Sequence, residues 1–232
     1  MKIPAPVVDY RKLRPNNLTS PEFSHILLLL AWPLFFILFT TLERIYVVDY
    51  YHPMYCPLDD LIPFQEIFVI PYLLWFAFII FTLLYGFFYD VDLFKREMWC
   101  IIITYYASLL IFFIFPNCQE LRPTEFVRDN FLTRFMADFY QFDTNTNVFP
   151  SIHVMGAMCS MFAVLKAKKL RHPLWKIGSI VLCILICMST VFLKQHSILD
   201  VFGALPICAI AYWLCFVRGK VKRKECVDSS AV

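Results

Sequence analysis

Residues 66–89 read EIFVIPYLLWFAFIIFTLLYGFFY, and after the opening glutamate this stretch contains no Lys, Arg, Asp or Glu. An α-helix needs roughly 20 apolar residues to cross the hydrocarbon core of a bilayer, so the stretch reads as a membrane span. Working outward, five more candidates appear. One lies near 25–43 (HILLLLAWPLFFILFTTLE). The others lie near 97–116, 150–167, 174–193 and 197–217. The fourth, with Gly156, Ala157 and Ser160, is the least hydrophobic. Pro33 and Pro71 fall inside spans, where a neighbouring helix can satisfy the freed carbonyl. The first span follows a long leader containing Glu22, and no small-residue cleavage site comes after it, so it reads as a retained anchor.

Composition agrees. Hydrophobic residues make up 60% of the 232-residue chain, and charged residues only 17%. A water-soluble domain usually carries about a quarter charged residues. The length suits one membrane domain. Of the nine cysteines, Cys100, Cys159, Cys183, Cys187, Cys208 and Cys215 lie in apolar runs, where a thiol behaves as a small hydrophobe. No CxxC pair has zinc spacing. Cys56 and Cys118 fall in loops assigned to one side, and a disulfide or two free thiols both satisfy the sequence.

Charge orients the spans. Six crossings put both termini on one side, together with Lys2, Arg11, Lys12 and Arg14, then Lys95 and Arg96, then Lys166, Lys168, Lys169, Arg171 and Lys176, and lastly Arg218, Lys220, Lys222, Arg223 and Lys224. The other side keeps Arg44, Arg122, Arg128, Arg134 and Lys194. The positive-inside rule makes the first side cytoplasmic. The outer loop before the fourth span contains NFLTRFMADFYQF (130–142), with Phe131, Leu132, Phe135 and Phe139 at three- and four-residue intervals. That spacing fits an amphipathic helix on the interface; packing over the bundle mouth fits it equally. The predicted fold is thus all-α: a six-transmembrane helix bundle with an interfacial amphipathic helix in its outer loop. Residues 1–24 form a cytoplasmic N-terminal segment, 25–217 the six-span domain, and 218–232 a basic cytoplasmic tail.

Three polar clusters map to the outer ends of spans: Arg122-Pro123, Pro150-Ser151-Ile152-His153 and His196-Ser197-Ile198-Leu199-Asp200. Ionisable groups at membrane depth are costly and usually face the bundle interior, so their common depth argues for one site. His196 and Asp200 share a helix face. A carboxylate there fixes the imidazole tautomer and leaves the other nitrogen as base or nucleophile; the same pair also serves as a structural hydrogen bond. His153 follows a proline and Ser151 at a helix start, where free N–H groups attract anions. It could protonate a leaving oxygen or simply touch headgroups. Arg122 offers a fork matched to phosphate. Asp59 and Asp60 either order an acceptor hydroxyl or cap a helix start. His25 and His172 fall on the cytoplasmic side, and His52 has no chemical neighbours in the sequence. Asn17-Leu18-Thr19 fits a glycosylation acceptor on the side facing the cytoplasm.

The strings LRP (121–123), FPSIH (149–153) and STVFLKQHSILDV (189–201) resemble the motifs of the type 2 phosphatidic acid phosphatase superfamily. The resemblance covers about the second half of the chain. It implies His196 as a nucleophile forming a phosphohistidine, Asp200 as its orienting partner and His153 as the acid and later the base. It implies Arg122 and the Ser151 region as phosphate ligands, with no metal and no cofactor. Three positions depart from the pattern: Phe115 stands for a lysine, Ile152 for a glycine and Thr190 for an arginine. Lys194, one turn from Thr190, is the expected replacement cation for substrate binding, with Arg128 and Arg134 as others. These departures, together with the aromatic stretch at 59–76, are similar to the sphingomyelin and inositol phosphorylceramide synthase branch, which passes a phospho-headgroup between lipids. The implied partner is a lipid drawn from the bilayer, with no nucleic acid. The site would face the extracellular, periplasmic or lumenal side. A lipid-binding or transport protein without catalysis is the reading from another class.

Overall fold

The computed structural model describes residues 5–46 and 48–218. Residues 219–232, and so most of the basic run at 218–224, lie outside the described residues, as does Lys2. The described residues are 69% helical with almost no sheet. Eight α-helices follow in order: α1 (Ala31–Arg44), α2 (Leu58–Leu61), α3 (Val69–Tyr89), α4 (Val91–Ile114), α5 (Phe131–Phe142), α6 (Ile152–Lys166), α7 (Pro173–Phe192) and α8 (Ile198–Tyr212). A 3₁₀ segment, Ser24–Leu30, leads into α1, and a π-helical turn, Trp213–Arg218, extends α8. Two short parallel strands, β1 (His52–Pro53) and β2 (Asn117–Cys118), join the loops above α1 and α4.

Local chemistry sets the boundaries. The Asp90 carboxylate accepts from the Leu93 amide and starts α4 one residue after α3 ends. Asn130 caps α5 with Thr133 completing a reciprocal box, Ser151 caps α6, and Ser197 with Asp200 caps α8. Each cap satisfies amides that a helix start leaves unpaired.

Among the described residues, five helices are long and apolar enough to cross a membrane: Ser24–Arg44, Glu66–Tyr89, Val91–Ile114, Pro173–Phe192 and Ile198–Arg218. They make the chain an integral membrane protein. Their outward faces carry exposed Leu34, Ile37, Ile80, Phe113, Ile177 and Ile210, a surface that needs lipid as its solvent. The sequence predicts six spans, and the fourth departs from that expectation. Helix α6 has 15 residues, about 22 Å at 1.5 Å per residue, which is short of the hydrocarbon thickness. It sits inside the bundle, packed against α3, α4, α7 and α8, and Val154, Met155, Ala157 and Cys159 are fully buried. A helix sheathed by protein meets little lipid, so its length and hydropathy are not set by the bilayer. This also explains why it reads as the least apolar segment.

In the outer loop, Phe131–Phe142 form helix α5. Its Met136 is buried, and Leu132, Phe135 and Phe139 pack against Val69, Tyr72 and Leu193. The apolar face therefore turns onto the mouth of the bundle, while Phe131 and Phe142 remain exposed. At the opposite end of α3 the N-terminal segment docks, with Tyr10 donating to the Phe87 carbonyl at 2.7 Å. Cys56 and Cys118 are free thiols.

Candidate active site

The turn between α7 and α8 builds one half of the site. The Gln195 and His196 amides both donate to the Thr190 carbonyl at 3.0 Å, and Lys194 takes a left-handed conformation with φ 51°. His196 Nδ1 lies 3.1 Å from Asp200 Oδ2. The same oxygen accepts from the Ser197 amide at 3.0 Å. With Asp200 as acceptor, Nδ1 carries the imidazole proton and Nε2 keeps its lone pair. Asp200 is fully buried and His196 nearly so.

Helix α6 brings the other half. The Ser151 amide donates to the Asp200 carbonyl at 3.1 Å, locking the start of α6 to α8. His153 lies between Tyr72 and Trp75, with ring centroids at 4.7 and 4.5 Å, and its centroid is 5.7 Å from that of His196, edge to face. His153 Nδ1 is buried without a partner.

Both imidazoles line a cavity of about 560 Å³. Its head also carries Gln195, Asn147 and Asp143. Its body runs down between α1 (Trp32, Phe35, Phe36, Phe39) and α3 (Trp75, Phe76, Ile79, Ile80). Phe36, Phe76 and Ile80 are at least half exposed on the outer face of the bundle, so this aromatic slot opens sideways towards the hydrocarbon. The roof is tied down from α1. Glu43 accepts from Thr144, from Thr146 at 3.1 Å and from Asn147 at 2.7 Å. Arg44 donates to the Phe142 carbonyl at 2.8 Å.

The three residues predicted as substrate ligands beside this pair are engaged elsewhere. Arg122 donates to the carbonyls of Tyr140, Asp143 and Thr144 and to Gln195 Oε1 at 2.6–3.0 Å. It also stacks on the Tyr140 ring. Only its Nε lacks a partner. Burial pulls this guanidinium below its ordinary pKa, against the opposing pull of Asp143. Asp143 in turn is held above the usual carboxylate range by burial, with Arg122 opposing. Lys194 Nζ donates to the Asp59 carbonyl at 2.6 Å, and burial lowers its pKa. The Ser151 side chain accepts from the Val154 amide as a cap. Arg128 pairs with Glu66 at 3.1 Å and Arg134 with Asp129 at 2.7 Å. Among the described residues, no lysine or arginine lines the cavity.

Asp59 does cap a helix, but a distant one. Its carboxylate accepts from Ser197 Oγ at 2.6 Å, the Ile198 amide at 2.9 Å and the Cys56 amide at 2.9 Å. It thereby fixes the turn that carries His196. Sequence reasoning missed Gln195, Asn147, Asp143 and Glu43. The only signal for Gln195 was its place beside His196; Glu43 gave none, since its partners lie about a hundred residues away.

Residues 113–224, a little under half of the chain, match the family model of the PAP2 superfamily. Comparison with curated proteins and with solved structures gives no significant match.

Proposed function

We propose that this chain is a lipid phosphatase or phosphotransferase of the PAP2 type that works through a phosphohistidine, with its site at the non-cytoplasmic face and its termini in the cytoplasm. The match of residues 113–224 to the PAP2 superfamily and the apolar helices fit a membrane lipid phosphatase. The observation that carries the mechanism is the meeting of His153 and His196 at the head of a cavity that opens to lipid.

In the first step the His196 Nε2 lone pair attacks phosphorus, the bond to the leaving oxygen breaks, and protonated His153 gives that oxygen its proton. In the second, an acceptor O–H attacks phosphorus, His153 takes the proton, and the P–N bond breaks. Asp200 holds Nδ1–H throughout and stabilises the positive charge that develops on His196. Arg122 and Lys194 then act as positioning residues, Arg122 through Gln195 and Lys194 through the Asp59 segment, and Ser151 fixes the start of α6. Electrostatic preorganisation of the two imidazoles carries most of the rate enhancement.

A second reading narrows the chemistry to transfer between lipids. Arg122 and Lys194 both face backbone carbonyls, so the cavity offers little to neutralise a doubly charged monoester. Burying an unpaired charge is costly, and a singly charged phosphodiester asks less. Incubating the purified protein with phosphatidic acid, an isoprenyl diphosphate, or a phosphodiester lipid plus ceramide or diacylglycerol separates the readings. Free phosphate identifies a hydrolase, and a new phospholipid identifies a transferase. His196→Ala should abolish turnover in a folded protein and leave no acid-labile phosphoenzyme. Full activity in that variant, or no turnover of any lipid by the wild type, removes the catalytic reading and leaves a lipid-binding protein.

A further inference from the structure

Two side chains that line the cavity beside His153 carry buried polar atoms that the phosphoryl chemistry does not use. Trp75 Nε1 on α3 and Tyr105 Oη on α4 are both buried with no hydrogen-bond partner, and neither satisfies the other. Both side chains line the cavity. They converge over Gly156 of α6: a Cβ at that position would stand 2.5 Å from Tyr105 Oη and 2.8 Å from Trp75 Nε1. The missing side chain is what lets two donors from different helices meet at one point. Gly156 follows His153 by three residues, about 4.5 Å further along the helix.

Indole N–H can only donate, and a phenol can donate. Buried donors left unmet are costly and rare, and each calls for an explanation. Two donors converging beside an otherwise aromatic slot match one acceptor with two lone pairs. A carbonyl oxygen is such an acceptor. The ester carbonyls of a glycerophospholipid, or the amide carbonyl of a ceramide backbone, lie a few bonds from the phosphate, at the depth where the headgroup gives way to the chains.

Resting on the proposed lipid-phosphate chemistry, we propose that Trp75 and Tyr105 form a carbonyl-binding subsite at Gly156 that selects acyl lipids over lipids lacking a carbonyl. The subsite fixes how deep the substrate sinks, and so sets the phosphorus level with His196. Alkyl ether and isoprenyl phosphates fill the same slot and carry the same phosphate but leave both donors unmet.

The test uses the full-length protein in detergent micelles, with dioleoyl phosphatidic acid and dioleoyl phosphatidylglycerol against their dialkyl ether counterparts. The wild type should show a KM for the diester form lower by roughly 5- to 10-fold, the scale of one or two neutral hydrogen bonds. Tyr105→Phe should bring the ratio towards one, and Trp75→Phe should do the same. Equal handling of ester and ether by the wild type overturns the proposal and gives the two donors to a bound water instead. A variant that slows both lipids alike while keeping their ratio also overturns it. A second readout does not need turnover: with ¹³C-carbonyl dioleoyl lipid bound, the carbonyl infrared band should shift to lower frequency in the wild type and return in Tyr105→Phe. Absence of turnover on every lipid, with the band shift present, would refute the catalytic reading and keep the subsite. Turnover without the shift would do the reverse.

Discussion

At the scale of single residues, the site turns on which atom of each imidazole is free. Asp200 Oδ2 accepts from both the Ser197 amide and His196 Nδ1. An asparagine that keeps its oxygen there still accepts from both but loses the negative charge that stabilises the imidazolium, and one that turns its amide there meets two donors and forces the wrong tautomer. Asp200→Asn should therefore lower kcat by about 10³- to 10⁴-fold with the circular dichroism spectrum unchanged. Asp143 gives a pH signature. Burial raises its folded-state pKa above the ordinary value of 3.8, with Arg122 opposing. A carboxyl raised in the folded state contributes stability at acid pH, and that contribution is lost as pH rises through the folded pKa. In a thermal series starting at the ordinary carboxylate value and going upward, Asp143→Asn should flatten the loss. The histidines and Asp200 were legible in the sequence because their spacing is local and carries the resemblance. The destination of Arg122 was not, because backbone carbonyls of residues 140–144 have no signature in the side-chain pattern.

At the scale of elements, the site depends on caps and clasps between segments far apart in sequence. Asp59 lies on the four-residue α2, yet it holds the first turn of α8 through Ser197 and Ile198. Asp59→Ala should cost about 1–3 kcal/mol, the combined loss of a cap and of partners for buried donors. It should also lower kcat, because the His196 turn relaxes. Thermal unfolding and steady-state kinetics on the same preparation check both effects. Deeper in the bundle Glu97 of α4 is fully buried and accepts from Thr82 of α3 at 2.5 Å and from Ser160 of α6 at 3.5 Å. Glu97→Gln keeps the shape and an acceptor and should be near neutral. Glu97→Ala leaves a void among three helices and should destabilise by about 2–4 kcal/mol. Hydropathy located the long helices to within a few residues, except that α4 begins six residues before the predicted third span. It also located α6, predicted at 150–167 and found at Ile152–Lys166, but not that its surroundings are protein.

At the scale of the whole molecule, orientation and access remain to be measured. The proposed orientation puts the loops bearing Cys56 and Cys118 outside, and both thiols are free and partly exposed. A membrane-impermeant maleimide should label them in intact cells, and removing both should abolish that labelling. Labelling only after permeabilisation would reverse the topology. The pairing of α1 with α3 as walls of one slot could not be read from the sequence, because the pattern within one span does not say which other span its aromatic side faces.

That sideways slot changes what concentration means for this protein. Under the proposed chemistry, a lipid that enters beside Phe36 and Phe76 reaches His196 without leaving the hydrocarbon, so encounters take place by diffusion in two dimensions. Rates should follow the mole fraction of substrate in the membrane plane and fall when inert phospholipid dilutes it, even with total amounts held fixed. A product that keeps its chains is released into the same leaflet, where it competes with fresh substrate from the moment it forms.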